Sequence, residues 1–363
     1  MKKLYVLMAI VLSASMLLTA CGGGAAPAAS GGAPDCTKAD VFCVGLVTDV
    51  GRVDDKSFNQ SAWEGLQEAK KAGNADWIQY IETTDAKSYD TNIATFADAG
   101  YDVIVTSGFN LTEPTYAAAK KYPKTFFMGT DQFLLKDDKH PDWPLANLVG
   151  IIYNEDQSGF LVGALAAMMS KAHNIGGVFG TDAVPPVWRY GEGYRAGAAY
   201  EDAKNTTTTT VTNVYHNDVG FDKTFTDPEW GKTTADSMID KGADIIFGGG
   251  GKTGNGAVDE AVARGVYGIG VDSDQYFTLP EAQKGLLSSA MKPITEPVAA
   301  LIKLAKDGAF PTNGAFVGPS GYAPFHDLDS VVPAAVKTEM EALVKGLDDG
   351  SIKTNVPPVK PAS

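Results

Sequence analysis

Along the chain, short apolar runs alternate with stretches of helical period, and the alternation is written twice. VGLVTDVG (Val44–Gly51), AGYDVIVTSG (Ala99–Gly108) and FFMGTDQ (Phe126–Gln132) come first. They are echoed in the same order by IGGVFGTDA (Ile175–Ala183), KGADIIFGGG (Lys241–Gly250) and YGIGVDSDQ (Tyr267–Gln275). Each run is a few β-prone residues that break into Gly, Ser, Thr or Asp, which suits strands buried on both faces of a parallel sheet. Between them, Phe58, Ala62, Trp63, Leu66 and Ala69 form one helical stripe, and Ala257, Val258, Ala261 and Val262 another. Strand–helix alternation predicts a doubly wound α/β lobe, and its duplication predicts two Rossmann-like lobes.

This pattern also predicts where a ligand sits. Open α/β sheets bind ligands beyond the carboxyl ends of their strands. Asp49, Asp131 and Asp272 each stand at such an end. If the lobes face each other, these carboxylates line a single interlobe cleft, a common place for a ligand. The stretch DVGRVDDKSFNQSAWEGL (Asp49–Leu66) adds an aromatic, Phe58, at the mouth of a helix beside carboxylates. Two readings of Phe58 are open: it packs back on its own helix start as a hydrophobic staple, or it faces a ligand ring.

The first residues follow a different pattern. Lys2 and Lys3 precede a nearly unbroken apolar run, Leu4–Leu18, and then LTAC (Leu18–Cys21). A run of that length falls short of the ~20 apolar residues of a spanning helix and has the shape of a secretory signal. Small residues before a cysteine resemble a bacterial lipobox, which makes residues 1–20 a lipoprotein signal peptide and Cys21 the lipidated first residue. The alternative is an ordinary cleaved signal with an incidental cysteine. The small, uncharged stretch after Cys21 reads as a flexible tether, residues 21–37, holding a folded body off the membrane. Cys36 and Cys43 are left either to pair in a small loop or to stay as thiols.

Composition then removes whole classes of function. The formal net charge is −14, more acidic still once Lys2 and Lys3 leave, and no basic patch relieves it. Such a surface repels nucleic acid and keeps the body soluble. GGGGKTG (Gly248–Gly254) resembles a phosphate-binding loop, but the position that must be Gly is Ile246. No G-x-S-x-G elbow is present, and His140, His173, His216 and His326 are scattered without metal-ligand spacing. Neither a metal nor a cofactor is expected. A carboxylate-rich cleft disfavours phosphates and acidic substrates but suits hydroxyl donors, because one carboxylate accepts both hydrogens of a vicinal diol. Aromatics add flat apolar area. Together they favour a neutral, hydroxylated molecule with a flat part, such as a nucleoside, and leave sugars open.

Several of these stretches resemble the basic membrane protein family of lipid-anchored, ABC-importer substrate-binding proteins, whose members include purine nucleoside receptors. They are VTDVGRVDDKSFNQSAWEGL, GTDQ, YNEDQSGFLVGALAA, TFTDPEWGK, GKTGNG and IGVDSDQ. The resemblance implies a two-lobed, type I periplasmic-binding-protein-like fold, a purine nucleoside ligand, an ABC permease as partner and a monomer anchored by lipid outside the cytoplasm. By the same resemblance, Phe58 and Phe225 sandwich the base. Asn59 and Asp131 hydrogen-bond it, and Asp272 and Lys292 hold the ribose. Gly251 begins a turn that approaches the sugar, and Asp49 lies near the same pocket. Trp188 or Phe221 are alternatives to Phe225. Lys252 departs from the family's Gly-Gly-Thr-Gly and is expected either to crowd the sugar or to turn to solvent.

The expected lobes are residues 38–148 plus 274–308 and residues 149–273 plus 309–357. The chain would then cross near Val149, Asp274 and Gly308. Two rivals to a nucleoside receptor stand beside it: a sugar or autoinducer receptor of the same fold, and an exported nucleoside hydrolase drawing on Asp49, Asp54 and Asp55.

Overall fold

The computed structural model describes residues 33–361, and from Asp35 onward they belong to one compact body. The signal segment and Cys21 lie outside the described residues. The first lobe runs β1 (Cys43–Val50), α1 (Phe58–Lys71), β2 (Trp77–Thr83), α2 (Tyr89–Asp98), β3 (Val103–Ser107), α3 (Thr112–Lys121), β4 (Phe126–Thr130) and β5 (Leu148–Ile152). The second runs α4 (Glu155–Met169), β6 (Asn174–Phe179), α5 (Pro185–Asn205), β7 (Thr210–Tyr215), α6 (Pro228–Asp240), β8 (Ile245–Gly249), α7 (Gly251–Ala263), β9 (Tyr267–Asp272) and β10 (Leu286–Met291). The chain then adds α8 (Thr295–Lys306) and β11 (Ala315–Val317) to the first lobe, and β12 (Gly321–Tyr322) and α9 (Ala334–Asp348) to the second.

The two sheets have matching topology. Their strand orders are β11-β5-β4-β3-β1-β2 and β12-β10-β9-β8-β6-β7. All pairs are parallel except β10 with β12. The repeated sequence runs are the matching strands β1 and β6, β3 and β8, and β4 and β9. Strands β3 and β8 are buried throughout, because helices cover both faces of a parallel sheet. No helix among the described residues is long and apolar enough to cross a membrane.

The lobe boundaries differ from the sequence expectation. The chain crosses after β5 at residues 153–154, after β10 at 292–294 and after β11 at 318–320. The first crossing falls four to five residues past Val149, whereas Asp274 and Gly308 are not crossings. The sequence repeat matched only three strands in each half, whereas each sheet takes a further parallel strand, β5 and β10, before the chain leaves. Residues 274–291 therefore belong to the second lobe. Gly308 only ends α8, which packs on α1 in the first lobe. The chain stays there to lay β11 beside β5.

Helices α4 and α5 pack unusually close. A Cβ on Gly159 would lie 2.4 Å from the Tyr190 carbonyl oxygen, and one on Gly197 would lie 1.9 Å from that of Phe160. Larger side chains would force the helices apart, at a cost of about 1–3 kcal/mol each. This contact fixes Glu155 and Tyr190, on the two helices, against the crossing at Lys292. Cys36 and Cys43 form a disulfide at the start of β1, which decides between the two states left open by sequence.

Candidate functional site

The carboxyl ends of both sheets open onto one cavity between the lobes, with about 820 Å³ of space including its open mouth. Asp49, Phe58, Asn59, Asp131, Phe225, Gly251, Asp272 and Lys292 all line it. The duplication governs the local backbone. Asp131 just after β4 has φ 60° and Asp272 at the end of β9 has φ 64°, so both carboxylates turn off their strands in the left-handed conformation that Asp tolerates. Gln132 and Gln275 follow and fold back on the strand ends: Gln132 Nε2 donates to the Gly108 carbonyl, and Gln275 Oε1 accepts from the Val271 N–H.

Lys292 is the hub. Its ammonium lies 2.8 Å from Asp131 Oδ2 and 3.2 Å from Glu155 Oε1. It also sits 5.4–5.5 Å from the ring centres of Phe58, Tyr153 and Tyr190. It is 2% exposed, so it is not a solvated surface lysine. Burial works against its charge, but Asp131, Glu155 and Asp272 outweigh that and lift its pKa above the ordinary lysine value. Burial raises the carboxyl pKa values of Glu155 and Asp272, and Lys292 pulls against it in each case. Asp272 also accepts from Ser57 Oγ at 2.6 Å across the lobes and from the Tyr190 hydroxyl at 3.4 Å. It does not cap the following short helix, a role taken by Asp274.

Around this hub stand rings and acceptors. Phe58 is partly buried against the first-lobe core and also lines the cavity. Phe225 lies against glycine backbone: a Cβ on Gly180 would come 2.3 Å from its ring, and one on Gly250 3.3 Å. Gly250 and Gly251 take φ 122° and 56° at the start of α7, a path open to glycine. Phe221 packs edge-on against Phe225, and Trp188 is buried away from the cavity, so Phe225 is the exposed face. Asn59 is buried and its Oδ1 has no hydrogen-bond partner. An unpaired buried acceptor costs about 1–3 kcal/mol unless a ligand satisfies it. Burial pushes the Asp49 carboxyl up to about 6, against hydrogen bonds from the Tyr89 hydroxyl and the Val50 and Asn110 backbone.

Sequence reasoning did not single out Glu155, Tyr153, Tyr190 or Ser57. Ser57, Tyr153 and Glu155 lie inside quoted stretches, but nothing local in them points to Lys292. Lys252 lines the edge of the cavity and is partly exposed. Its Nζ is 3.0 Å from Asp54 Oδ1, across the mouth between the lobes.

Two α/β lobes of one topology, joined by three crossings and closing on a ring- and acid-lined cavity, define the class of two-lobed solute receptors. The description "Bmp: ABC transporter substrate-binding protein PnrA-like" matches residues 42–317, and the chain belongs to that family. Its members are solute-binding proteins of ABC transporters and not enzymes. The chain is 31% identical to the "ABC transporter nucleoside-binding protein BmpA" of Lactococcus lactis subsp. cremoris (strain MG1363), over 85% of this chain and 86% of that protein. It is 32% identical to the "CD4+ T-cell-stimulating antigen" of Listeria innocua serovar 6a, over 74% and 72%. The solved ABC transporter solute-binding protein of Aeropyrum pernix K1 superposes with a TM-score of 0.74 at 25% identity, covering 88% of this chain and 94% of that one.

Proposed function

We propose that this chain is a lipid-anchored receptor that captures purine nucleosides outside the cytoplasm and presents them to an ABC permease. One observation carries the ligand class: Phe58 from the first lobe and Phe225 from the second line the same cavity as Asn59, Asp131, Asp272 and Lys292. Paired aromatic faces suit a flat base, and clustered carboxylates with an ammonium suit vicinal hydroxyls. In this reading Phe58 and Phe225 stack on the base, Asn59 and Asp131 hydrogen-bond it, and Asp49 lies beside it. Asp272 and Lys292 take the ribose, where the Gly251 turn lets the backbone approach. The Lactococcus relative carries a nucleoside-binding name, which agrees with this ligand class. Contacts to both lobes favour the closed form, which the permease recognises.

The test is calorimetric titration with inosine, adenosine, guanosine, cytidine, free adenine and ribose. Submicromolar binding of at least one purine nucleoside is expected, with ribose far weaker. Binding of a pentose alone would overturn the reading. For the anchor, Cys21→Ala should release the protein from the membrane fraction of expressing cells, and unchanged retention would count against lipidation at Cys21.

A further inference from the structure

The Asp54–Ser57 turn of the first lobe is gripped from the second lobe by side chains that lie outside the cavity. The Lys56 carbonyl accepts from Gln275 Nε2 at 3.0 Å and from Thr278 Oγ1 at 2.9 Å. The neighbouring Asp55 carbonyl accepts from Asn255 Nδ2 at 2.8 Å, and Gln275 Nε2 also donates to Asn255 Oδ1 at 2.9 Å. At the solvent edge, Lys252 pairs with Asp54. Lys56 has φ 62°, a conformation uncommon for a residue with a long side chain, and its carbonyl bonds across to the second lobe.

The same turn is rigidly tied to the ligand-facing helix start. The Asp55 carboxylate accepts the backbone N–H of Ser57 at 3.0 Å, Asn59 at 2.9 Å and Gln60 at 3.1 Å. Phe58 and Asn59 therefore cannot move without the turn, and the turn cannot leave without breaking the bonds to the second lobe.

We propose that this turn is the catch that holds the lobes closed, with Asn255, Gln275 and Thr278 as positioning residues that set ligand residence time without touching ligand. The bonds to the Asp55 and Lys56 carbonyls bridge the lobes, so they weight the open–closed equilibrium. Lys252 extends the catch to the rim, where an exposed pair contributes little.

The test uses spin labels on Lys87 and Lys223, one exposed residue in each lobe, and electron–electron distance measurement without any nucleoside. This arm is independent of the nucleoside reading. Wild-type protein should populate a short, closed distance. Thr278→Val removes one hydroxyl with little change of shape and should lower the closed-to-open ratio about fivefold. Asn255→Asp removes the donor to the Asp55 carbonyl and should lower it at least about tenfold. Thr278→Ser should keep the wild-type ratio. With inosine, which rests on the nucleoside reading, the two disrupting variants should raise the dissociation rate by similar factors and leave the association rate nearly unchanged. A wild-type protein wholly at the long distance would overturn the proposal, as would a Thr278→Val distribution that superposes on wild type.

Discussion

The Lys292 ammonium and the Asp131 carboxylate meet at 2.8 and 2.9 Å, although they stand at strand ends of different lobes. Asp131 leaves β4 of the first sheet. Lys292 follows β10 of the second, and its N–H donates to the Asp272 carbonyl at 2.6 Å. The pair thus sits at a crossing of the chain, with Asp131 bonded to the ammonium and the Asp272 carboxylate within its field. Two buried charges in a cavity wall are costly unless each is compensated, and here Asp131, Glu155 and Asp272 all lean on one ammonium, with Arg189 as a second cation 3.5 Å from Glu155.

Lys292→Met should therefore do more than weaken binding. With Lys292 gone, Asp131, Glu155 and Asp272 keep the upward push of burial and lose its main counterweight, while Glu155 retains Arg189 at 3.5 Å. The loss at neutral pH is expected at about 3–5 kcal/mol. The folded variant binds more protons than the unfolded chain, so its stability rises as pH falls. Chemical denaturation at pH 8 and pH 5 should show a large deficit at the first and a much smaller one at the second. An equal deficit at both would remove the electrostatic account.

Phe58→Ala should lower purine nucleoside affinity by roughly 10–100-fold, the range expected for losing a buried stacking face. The melting temperature should change little, since the ring is only partly buried and lines the cavity. Calorimetry and thermal melting on the same preparation check both halves. Unchanged affinity would take the stacking role from Phe58.

What could be read from the sequence was whatever the duplication repeats. Asp131 and Asp272 were visible because strand ends bear ligands and because both halves end a strand with Asp. Phe58 stood out as an aromatic at a helix mouth with two uses open to it, and the family resemblance favoured the ligand-facing one and added Asn59. Glu155 and Tyr190 were not visible, because their place depends on glycines of α4 and α5 meeting at contact distance, a relation between segments without local signature. The crossings were misplaced for a similar reason: β5 and β10 resemble each other too little in sequence to count as repeats, yet they extend both sheets. Lys252 could be seen as a departure, but its partner Asp54 lies 198 residues away.

Asp55 should leave a mark on pH dependence. Burial pushes its carboxyl up to about 6, against the backbone N–H groups it accepts, from an ordinary 3.8. Between those values the folded state holds a proton that the unfolded chain releases. Stability from this group therefore falls as pH rises from about 4 to about 6, by about 3 kcal/mol in all, and stays at the lower level above that. Asp55→Asn removes the titration. Denaturation midpoints at pH 4, 5, 6 and 7 should follow a flatter line in the variant than in the wild type. Parallel lines would show that Asp55 keeps an ordinary pKa in the folded protein.

Gly180→Ala tests whether the second aromatic face is set by backbone. The added Cβ would lie 2.3 Å from the Phe225 ring. Gly180 cannot retreat, because its N–H donates to the Gly249 carbonyl at 2.9 Å and its carbonyl accepts from the His216 N–H at 2.6 Å. The ring must turn or move into the cavity, and overpacking of this kind costs about 1–3 kcal/mol. Inosine affinity should fall about tenfold or more while the melting temperature shifts by only a few degrees. Because the alanine acts only through that ring, it should add nothing in a Phe225→Ala background, where the space is already vacated. Additive losses in the double variant would mean that Gly180 shapes the cavity by some route other than Phe225.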